Sequence, residues 1–228
     1  DYLLLRDTDE FTFQAQVQQE PSVPGGNIIK RDWWKYYQPD QYNADGKLII
    51  TADTAMKKND YNDRSSLQLW NLTYDTVDFL EEVTGKWEFP ELVKQMVNFY
   101  KKWANMCERQ GINPPTIYVE DKASGAPMAQ QLGSMGIKCM LWKPKDYNFP
   151  DDKLHRVKMS LFYIQAGRVR LPKANVENSS WVLPFIEQCA NFTGLTEEED
   201  DSVDTMTMAV SVWRRHGGGS DVRIVELQ

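Results

Sequence analysis

The hydrophobic pattern of this chain changes repeatedly from the period of a strand to the period of a helix. In the first two thirds, strand-like segments stand at 47–53, 65–73, 76–83, 116–120 and 138–142, with helical segments from 88 onward and at 127–135. The short link Tyr74-Asp75 indicates that the second and third strands form an antiparallel meander. Strands that alternate with helices in this way predict an α/β fold on a mixed sheet.

The last third of the chain is mainly helical in pattern. Amphipathic helices are predicted at 152–165, 181–192 and 202–215, and a final strand is predicted at 222–227. Between the first two helices, residues 168–180 join a short apolar stretch to polar residues, which predicts a β-hairpin or flap. We therefore expect a mixed sheet flanked by helices, with the flap near its functional edge.

Residues 1–45 differ from the rest because they lack a regular period. The run Pro21-Ser22-Val23-Pro24-Gly25-Gly26 breaks any element, so we predict a lead-in or linker over 1–45 and a globular domain over 46–228. The aromatic cluster Trp33-Trp34 could stack on nucleic-acid bases, although packing onto the folded body is the favoured interpretation. A start without Met suggests a fragment of a longer protein.

Composition excludes several classes of protein. The 228 residues carry a formal net charge of −7, which argues against a simple basic nucleic-acid coat protein but not against an enzyme that clusters carboxylates around metal ions. The mean hydropathy is −0.58 and no long apolar run occurs, so no membrane span is predicted. Three scattered cysteines and two histidines are too few for a zinc site, and neither histidine suggests a catalytic triad.

Acidic residues stand at the ends of predicted elements. Asp53 closes the first strand, Glu120 closes the fourth, and Asp201 and Asp204 lie one turn apart at the start of the last helix. Ligands of open α/β sheets bind beyond the carboxyl ends of the strands, so these acids can share one site. Each also has a structural explanation, since Asp200 and Asp201 could simply cap the helix.

Clustered carboxylates repel one another, and hard divalent cations such as Mg²⁺ or Mn²⁺ relieve that repulsion. Two such ions can activate a water molecule and stabilise the leaving oxygen of a phosphoryl displacement. The spacing of the acids suggests such a site and does not prove it.

Five segments resemble a known family, in the family's order. They are TADTAMK at 51–57, KWEFPEL at 86–92, VEDKASG at 119–125, QAGRV at 165–169 and DDSVD at 200–204. They resemble the C-terminal nuclease domain of the large terminase subunit of tailed bacteriophages, which implies an RNase H-like (retroviral-integrase-type) fold. The family's ATPase motor is not expected here, because no GxxxxGK[ST] motif occurs. The lead-in resembles the junction that follows the motor.

The resemblance implies roles for the acids. Asp53 matches the acid that bridges two metal ions, and Glu120 matches the second acid. The third comes from 200–204, where Asp201 is favoured, Asp204 is its partner on the same helix face, and Asp200 is less favoured. The implied activity is a metal-dependent endonuclease that cleaves concatemeric viral DNA with little sequence specificity, using two Mg²⁺ or Mn²⁺ ions.

The resemblance also implies partners. These are double-stranded DNA, the ATPase domain of the same subunit, the portal protein and the small terminase subunit, at the procapsid portal in the host cytoplasm and with no membrane contact. Basic residues near the predicted site or flap are expected to contact DNA phosphates: Lys57, Lys122, Lys153, Arg156 and Arg168, with Lys158 and Arg170 as further candidates.

Two other functions remain open from the sequence. A resolvase-type junction nuclease has a similar fold and a closing Asp-x-x-Asp helix, and would prefer four-way junctions. A non-catalytic module could instead dock a portal or motor partner through Trp33 and Trp34. Such a module would bind neither Mg²⁺ nor Mn²⁺.

Overall fold

A computed structural model describes residues 28–42, 45–54, 64–122, 124–194 and 200–218. Within these ranges, seven strands form one sheet in the order β1-β7-β4-β3-β2-β5-β6. The strands are β1 (Lys35–Tyr37), β2 (Lys47–Asp53), β3 (Ser65–Leu72), β4 (Val77–Gly85), β5 (Thr116–Glu120), β6 (Cys139–Trp142) and β7 (Val169–Pro172).

The sheet is mixed, as predicted. Strands β2, β3 and β4 form the expected antiparallel meander, with an irregularity between Leu69 and Trp70. The other four pairings, β2 with β5, β5 with β6, β4 with β7 and β1 with β7, are parallel. Strands β2, β4, β5 and β6 therefore all end at the same edge of the sheet.

Five α-helices in the same described ranges flank this sheet. They are α1 (Phe89–Gln110), α2 (Gly125–Ser134), α3 (Lys153–Gln165), α4 (Ser179–Asn191) and α5 (Asp201–Arg215). Pro90 lies in the first turn of α1, where its missing N–H costs nothing, and Gly111 ends the helix with a left-handed φ of 68°. None of the described helices is both long enough and apolar enough to cross a membrane.

Alternation along the strands gives each face of the sheet its own core. Ile49 and Phe79 face one cluster, which α3, α4 and α5 cover. Ile50 and Leu67 face the other cluster, which α1 and α2 cover. The two layers of helices place the ends of the strands between them, at the edge where Asp53 lies.

Helix α5 is the most buried of the five, since every residue from Ser202 to Trp213 is buried. Its polar residues are satisfied within the fold: Ser211 Oγ donates to the Met208 carbonyl at 2.6 Å and accepts from Trp142 Nε1 at 2.9 Å. At its other end, Trp213 Nε1 donates to the Thr73 carbonyl at 2.7 Å. These bonds fix the helix across β2 and β3.

Two sequence predictions differ from the structure. The β-hairpin or flap at 168–180 is wrong, because Val169–Pro172 is a strand inserted in parallel between β1 and β4 and a turn then leads into α4. Part of the predicted lead-in packs into the body, since Ile29 and Trp34 are buried in the core. That burial confirms the packing interpretation of Trp34. The strand predicted at 222–227 lies outside the described residues.

Candidate active site

Asp53 and Glu120 lie side by side at the carboxyl ends of β2 and β5. The parallel register pairs Ala52 with Val119, so the next residues, Asp53 and Glu120, stand level on neighbouring strands. Both project toward the face covered by α5, because they share the orientation of Ile49 and Tyr118. The sheet thus brings together the first two acids that the sequence predicts.

The first turn of α5 supplies further acids to the same place. Burial, and then the carboxyl groups of Asp204, Glu120 and Asp201, raise the pKa of Asp53 well above its usual range. Asp204 is almost wholly buried, and Asp201 lies one turn before it on the same side of the helix. The structure therefore brings the acids of three separate segments close enough for Asp204, Glu120 and Asp201 to act electrostatically on Asp53.

Asp201 differs from its neighbour Asp204 in its contacts. Burial and then the charge of Asp200 raise the pKa of Asp201 to about 7. Among the described residues, no side chain donates a hydrogen bond to the Asp201 carboxylate, whereas Asp204 accepts from two basic side chains. The Asp201 carboxylate has a backbone hydrogen bond but no side-chain donor, so a cation would meet less competition there than at Asp204.

Two basic residues of α3 neutralise part of this negative charge. Lys153 Nζ lies 2.6 Å from Asp200 Oδ2 and 2.8 Å from Asp204 Oδ2. Burial lowers the pKa of Lys153, but the charges of Asp204 and Asp200 outweigh it and raise that pKa overall. Arg156 Nη2 donates to Asp204 Oδ1 at 3.0 Å, and Arg156 is itself only 3% exposed. Both oxygens of Asp204 are therefore occupied.

Asp200 occupies the residue position before α5 but does not cap it. Its side chain makes no capping hydrogen bond to the helix, and it pairs with Lys153 instead. The structural explanation offered by the sequence, a simple helix cap, is therefore wrong for Asp200.

The strand ends carry two further ion pairs. Lys122 Nζ lies 2.7 Å from Glu120 Oε2, and Lys143 Nζ lies 2.9 Å from Asp121 Oδ2. The peptide just after β5 is also crowded, because a Cβ atom on Gly125 would overlap the Glu120 carbonyl oxygen. Glycine at this position allows α2 to begin directly against the strand that carries Glu120.

A buried network of hydrogen bonds lies behind the acids and was not predicted from the sequence. Gln68 Nε2 donates to Glu82 Oε1 at 2.8 Å and to the Ser202 carbonyl at 2.9 Å. Gln188 Oε1 accepts from the Ser202 backbone N–H at 2.9 Å. The network fixes the start of α5, and only the alternation of Ser66, Gln68 and Glu82 on one face of a buried hairpin could have signalled it.

The basic residues predicted to contact DNA are not all near the acids. Lys122, Lys153 and Arg156 lie at the site, but each is paired with one of its carboxylates. Arg168 lies at the opposite end of the sheet, beside Asp75 and the start of β4, so the structure does not bring it to the acids. This corrects the sequence prediction, which depended on a flap near the site.

Three other basic residues were also expected to contact DNA phosphates. Arg170 forms a two-point ion pair with the buried Asp78, also away from the acids. Lys158 is exposed on α3. Lys57 lies outside the described residues.

The donor chemistry of the site fits a hard divalent cation, because its side chains offer carboxylate oxygens and Asp53 is destabilised by like charges. In the part of the chain that the structure describes, however, no three His, Cys, Asp or Glu side chains are arranged to hold an ion as they stand. Lys122, Lys153 and Arg156 are the cations that now contact these acids. A divalent ion would have to replace some of these contacts.

Comparison with known proteins gives results at the level of structure only. No family model matches the chain, and no curated protein sequence matches it. The nuclease domain of the human cytomegalovirus terminase superposes with a TM-score of 0.59 at 14% identity, over 80% of this chain and 92% of that domain.

The large terminase nuclease of thermophilic phage G20c with bound magnesium is also similar. It gives a TM-score of 0.55 at 13% identity, over 83% of this chain and 98% of the nuclease. The large terminase of a second thermophilic bacteriophage gives 0.56 at 12% identity, over 82% of this chain but only 45% of that longer protein. The chain described here therefore has the RNase H-like fold of terminase large-subunit nuclease domains, as its sequence resemblance predicts.

Proposed function

We propose that this chain is a divalent-metal-dependent endonuclease that cleaves concatemeric double-stranded viral DNA during genome packaging. The observation that carries the proposal is that Asp53 and Glu120 stand level at the ends of neighbouring strands, close enough to Asp201 and Asp204 for their charges, after burial, to raise the pKa of Asp53. Carboxylates from two adjacent strand ends and one helix are the donor set that a metal-assisted phosphoryl displacement needs.

The structural neighbours support this proposal. They are named as terminase nucleases, and the G20c nuclease is known with bound magnesium and with bound zinc. Their identity to this chain is 15% or lower, so the likeness supports the fold, and the acids themselves support the chemistry.

In this proposal Asp53 and Glu120 would hold Mg²⁺ or Mn²⁺ from the sheet, and Asp201, with Asp204, would hold it from α5. A pair of such ions, when bound, would polarise the scissile phosphate and lower the pKa of the attacking water.

Two basic residues of α3 have a structural role in this proposal. Lys153 and Arg156 hold Asp204 in place while the site lacks a divalent ion, because an unpaired buried carboxylate would be costly. Lys153 is about a third exposed, so its ammonium group can swing toward solvent when an ion takes its place. Arg156, which is buried, stays and keeps Asp204 oriented.

We also propose the place of this nuclease in a larger assembly. The large terminase of the second thermophilic phage, of which this chain covers 45–50%, is known in complex with ATP-γ-S, so an ATPase domain of the same subunit is the expected covalent partner. The portal protein, the small terminase subunit and a location at the procapsid portal in the host cytoplasm belong to the same proposal.

Plasmid cleavage tests the activity. The wild-type chain should nick and linearise supercoiled DNA in Mn²⁺ and not in EDTA, while Asp53→Asn and Glu120→Gln should lose the activity. Asp75→Asn, an exposed aspartate at the opposite end of the sheet, serves as the matched control. Full activity in Asp53→Asn would sink the assignment.

The same assay separates the alternatives. Preference for a four-way junction over linear duplex would favour a resolvase-type enzyme. Absence of both cleavage and Mn²⁺ binding would favour a non-catalytic docking module.

A further inference from the structure

A cleft of about 440 Å³ opens beside the acids, at the ends of β5 and β6. Five basic side chains line it against three acidic ones, in a chain whose formal net charge is −7. The basic side chains are those of Lys122, Lys143, Lys145, Lys153 and Arg156. We refer to this feature as the basic cleft. It is a local excess of positive charge next to a cluster of carboxylates.

Sheet topology explains why the basic cleft adjoins the acids. Strands β2, β5 and β6 are neighbours, run parallel and end at one edge. Glu120 is in register with Trp142, and the Asp121 N–H donates to the Trp142 carbonyl at 2.9 Å. Lys143 is the next residue after Trp142, so it lies level with Asp121, one strand spacing or about 4.8 Å away in a sheet. The edge carries acids on two strands and a lysine on the third.

Lys143 and Lys145 differ from Lys153 and Arg156 in their exposure, and from the exposed Lys122 in being paired with acids other than the four of the site. Their side chains are 57% and 78% exposed, and their partners are Asp121 at 2.9 Å and Asp151 at 3.1 Å. Exposed ion pairs of this kind contribute little, so an incoming phosphate can replace the carboxylate at small cost. Lys153 and Arg156, by contrast, are held by the buried Asp204.

We infer that Lys143 and Lys145 bind the phosphodiester backbone of the duplex DNA whose scissile phosphate lies at the four acids. The inference rests on the proposed nuclease function and adds to it two residues that the sequence analysis did not single out. Both lysines follow β6 in the chain and line the same cleft as Glu120. Their contacts are to phosphates, so they should hold the duplex without reading its sequence.

The test is the salt dependence of duplex binding. Fluorescence anisotropy of a short labelled duplex in EDTA measures it, starting from low salt. The double variant Lys143→Gln/Lys145→Gln should bind on the order of tenfold more weakly at about 0.1 M salt. The negative slope of log K against log salt should become shallower by about 2, since each lost phosphate contact reduces its magnitude by about 1. Two duplexes of unrelated sequence should respond equally.

The matched control is Lys94→Gln/Lys102→Gln. These two lysines of α1 are also exposed and also paired with acids, Glu91 and Glu81, but they lie on the opposite side of the sheet. The control changes the net charge equally and should keep the wild-type slope. Equal losses in both double variants would overturn the inference, because they would show a general charge effect.

Plasmid cleavage by the wild-type chain in Mn²⁺, measured in parallel, keeps the two proposals apart. If the wild type cleaves the plasmid and Lys143→Gln/Lys145→Gln keeps the wild-type affinity for duplex DNA, phosphate binding by the two lysines is overturned and the proposed nuclease function stands. Reduced affinity of that variant, without cleavage by the wild type, would support phosphate binding in the cleft and reject the nuclease.

Discussion

Asp53 and Glu120 end two neighbouring parallel strands at the same level, so their carboxylates face one site under the first turn of α5. Burial, and then the charges of Asp204, Glu120 and Asp201, raise the pKa of Asp53. The arrangement is unfavourable for the fold alone, which is typical of sites where function opposes stability. Substitutions of these acids should therefore change the free energy of unfolding as well as the activity.

Asp53→Asn should stabilise the chain in EDTA at pH 7. The amide has no charge to be repelled, so we expect a gain of about 1–2 kcal/mol in the free energy of unfolding. For a domain of this size each kcal/mol raises the midpoint of thermal unfolding by about 2–4 °C. Differential scanning calorimetry measures the change.

Asp78→Asn is the control for that experiment. Asp78 is a buried aspartate too, but it accepts from Arg170 at 2.6 and 2.7 Å and from Tyr42 at 2.6 Å. Loss of its charge should lower stability by about 2–3 kcal/mol. If both variants lower the stability, the carboxylates around Asp53 do not repel one another as described.

The pKa of Asp201 gives a pH dependence of definite sign. It is raised from 3.8 to about 7 in the folded chain, so between these values the folded state holds more protons than the unfolded state. Stability in EDTA should therefore fall as the pH rises from about 4 to 7, by on the order of 1–2 kcal/mol from this group after solvent screening. Urea unfolding across that range measures it.

Asp201→Asn should flatten the same stability profile, because the amide does not titrate. A saturating divalent ion should also flatten it by favouring the charged carboxylate. Wild-type and Asp201→Asn profiles of equal slope would show that Asp201 keeps an ordinary pKa.

Lys153→Gln should increase the affinity for Mn²⁺. The ammonium group competes with a divalent ion for Asp200 and Asp204, and its removal leaves one more net negative charge at the site. At such distances the gain should be on the order of five- to tenfold. Lys158→Gln, an exposed lysine of the same helix, is the control and should change affinity little. Unchanged or weaker Mn²⁺ binding by Lys153→Gln would contradict competition.

Gln68→Met should loosen the start of α5. The side chain of Gln68 bridges Glu82 and the Ser202 carbonyl, so its loss removes two buried hydrogen bonds, while Glu82 keeps its bond from Ser66, and should cost about 1–2 kcal/mol. Mn²⁺ affinity should fall as well, since Asp201 and Asp204 lie in the turn that the bridge holds. Gln95→Met, a half-buried residue of α1, should cost less than about 0.5 kcal/mol. Normal Mn²⁺ affinity in Gln68→Met would show that the bridge does not position the acids.

Local patterns were sufficient to predict most of the fold. The meander, the α1 helix behind Pro90 and the strand that ends in Glu120 all follow from periods and turn residues close in sequence. The flap was mispredicted because Val169–Pro172 is only four residues long and pairs with β1 and β4, which are distant in sequence. Parallel pairing of this kind leaves no local signal in the sequence.

The acids of the site and the basic residues Lys122, Lys153 and Arg156 could be predicted from the sequence, but the ion pairs between them could not. Asp53 and Glu120 stand at strand ends, where topology alone brings them together. An amphipathic helix such as α3, in contrast, does not reveal that Arg156 turns inward to Asp204. The side-chain contacts that select one lysine or arginine from its neighbours form only in the tertiary structure.

Isothermal titration calorimetry of Mn²⁺ into the purified chain would show whether Asp53, Glu120 and the acids of α5 form one cation site. We expect saturable binding by the wild type and by the control Asp75→Asn. We expect no binding by Asp53→Asn/Glu120→Gln, which should remain folded. Identical binding isotherms for the wild type and the double variant would show that these acids do not form a cation site.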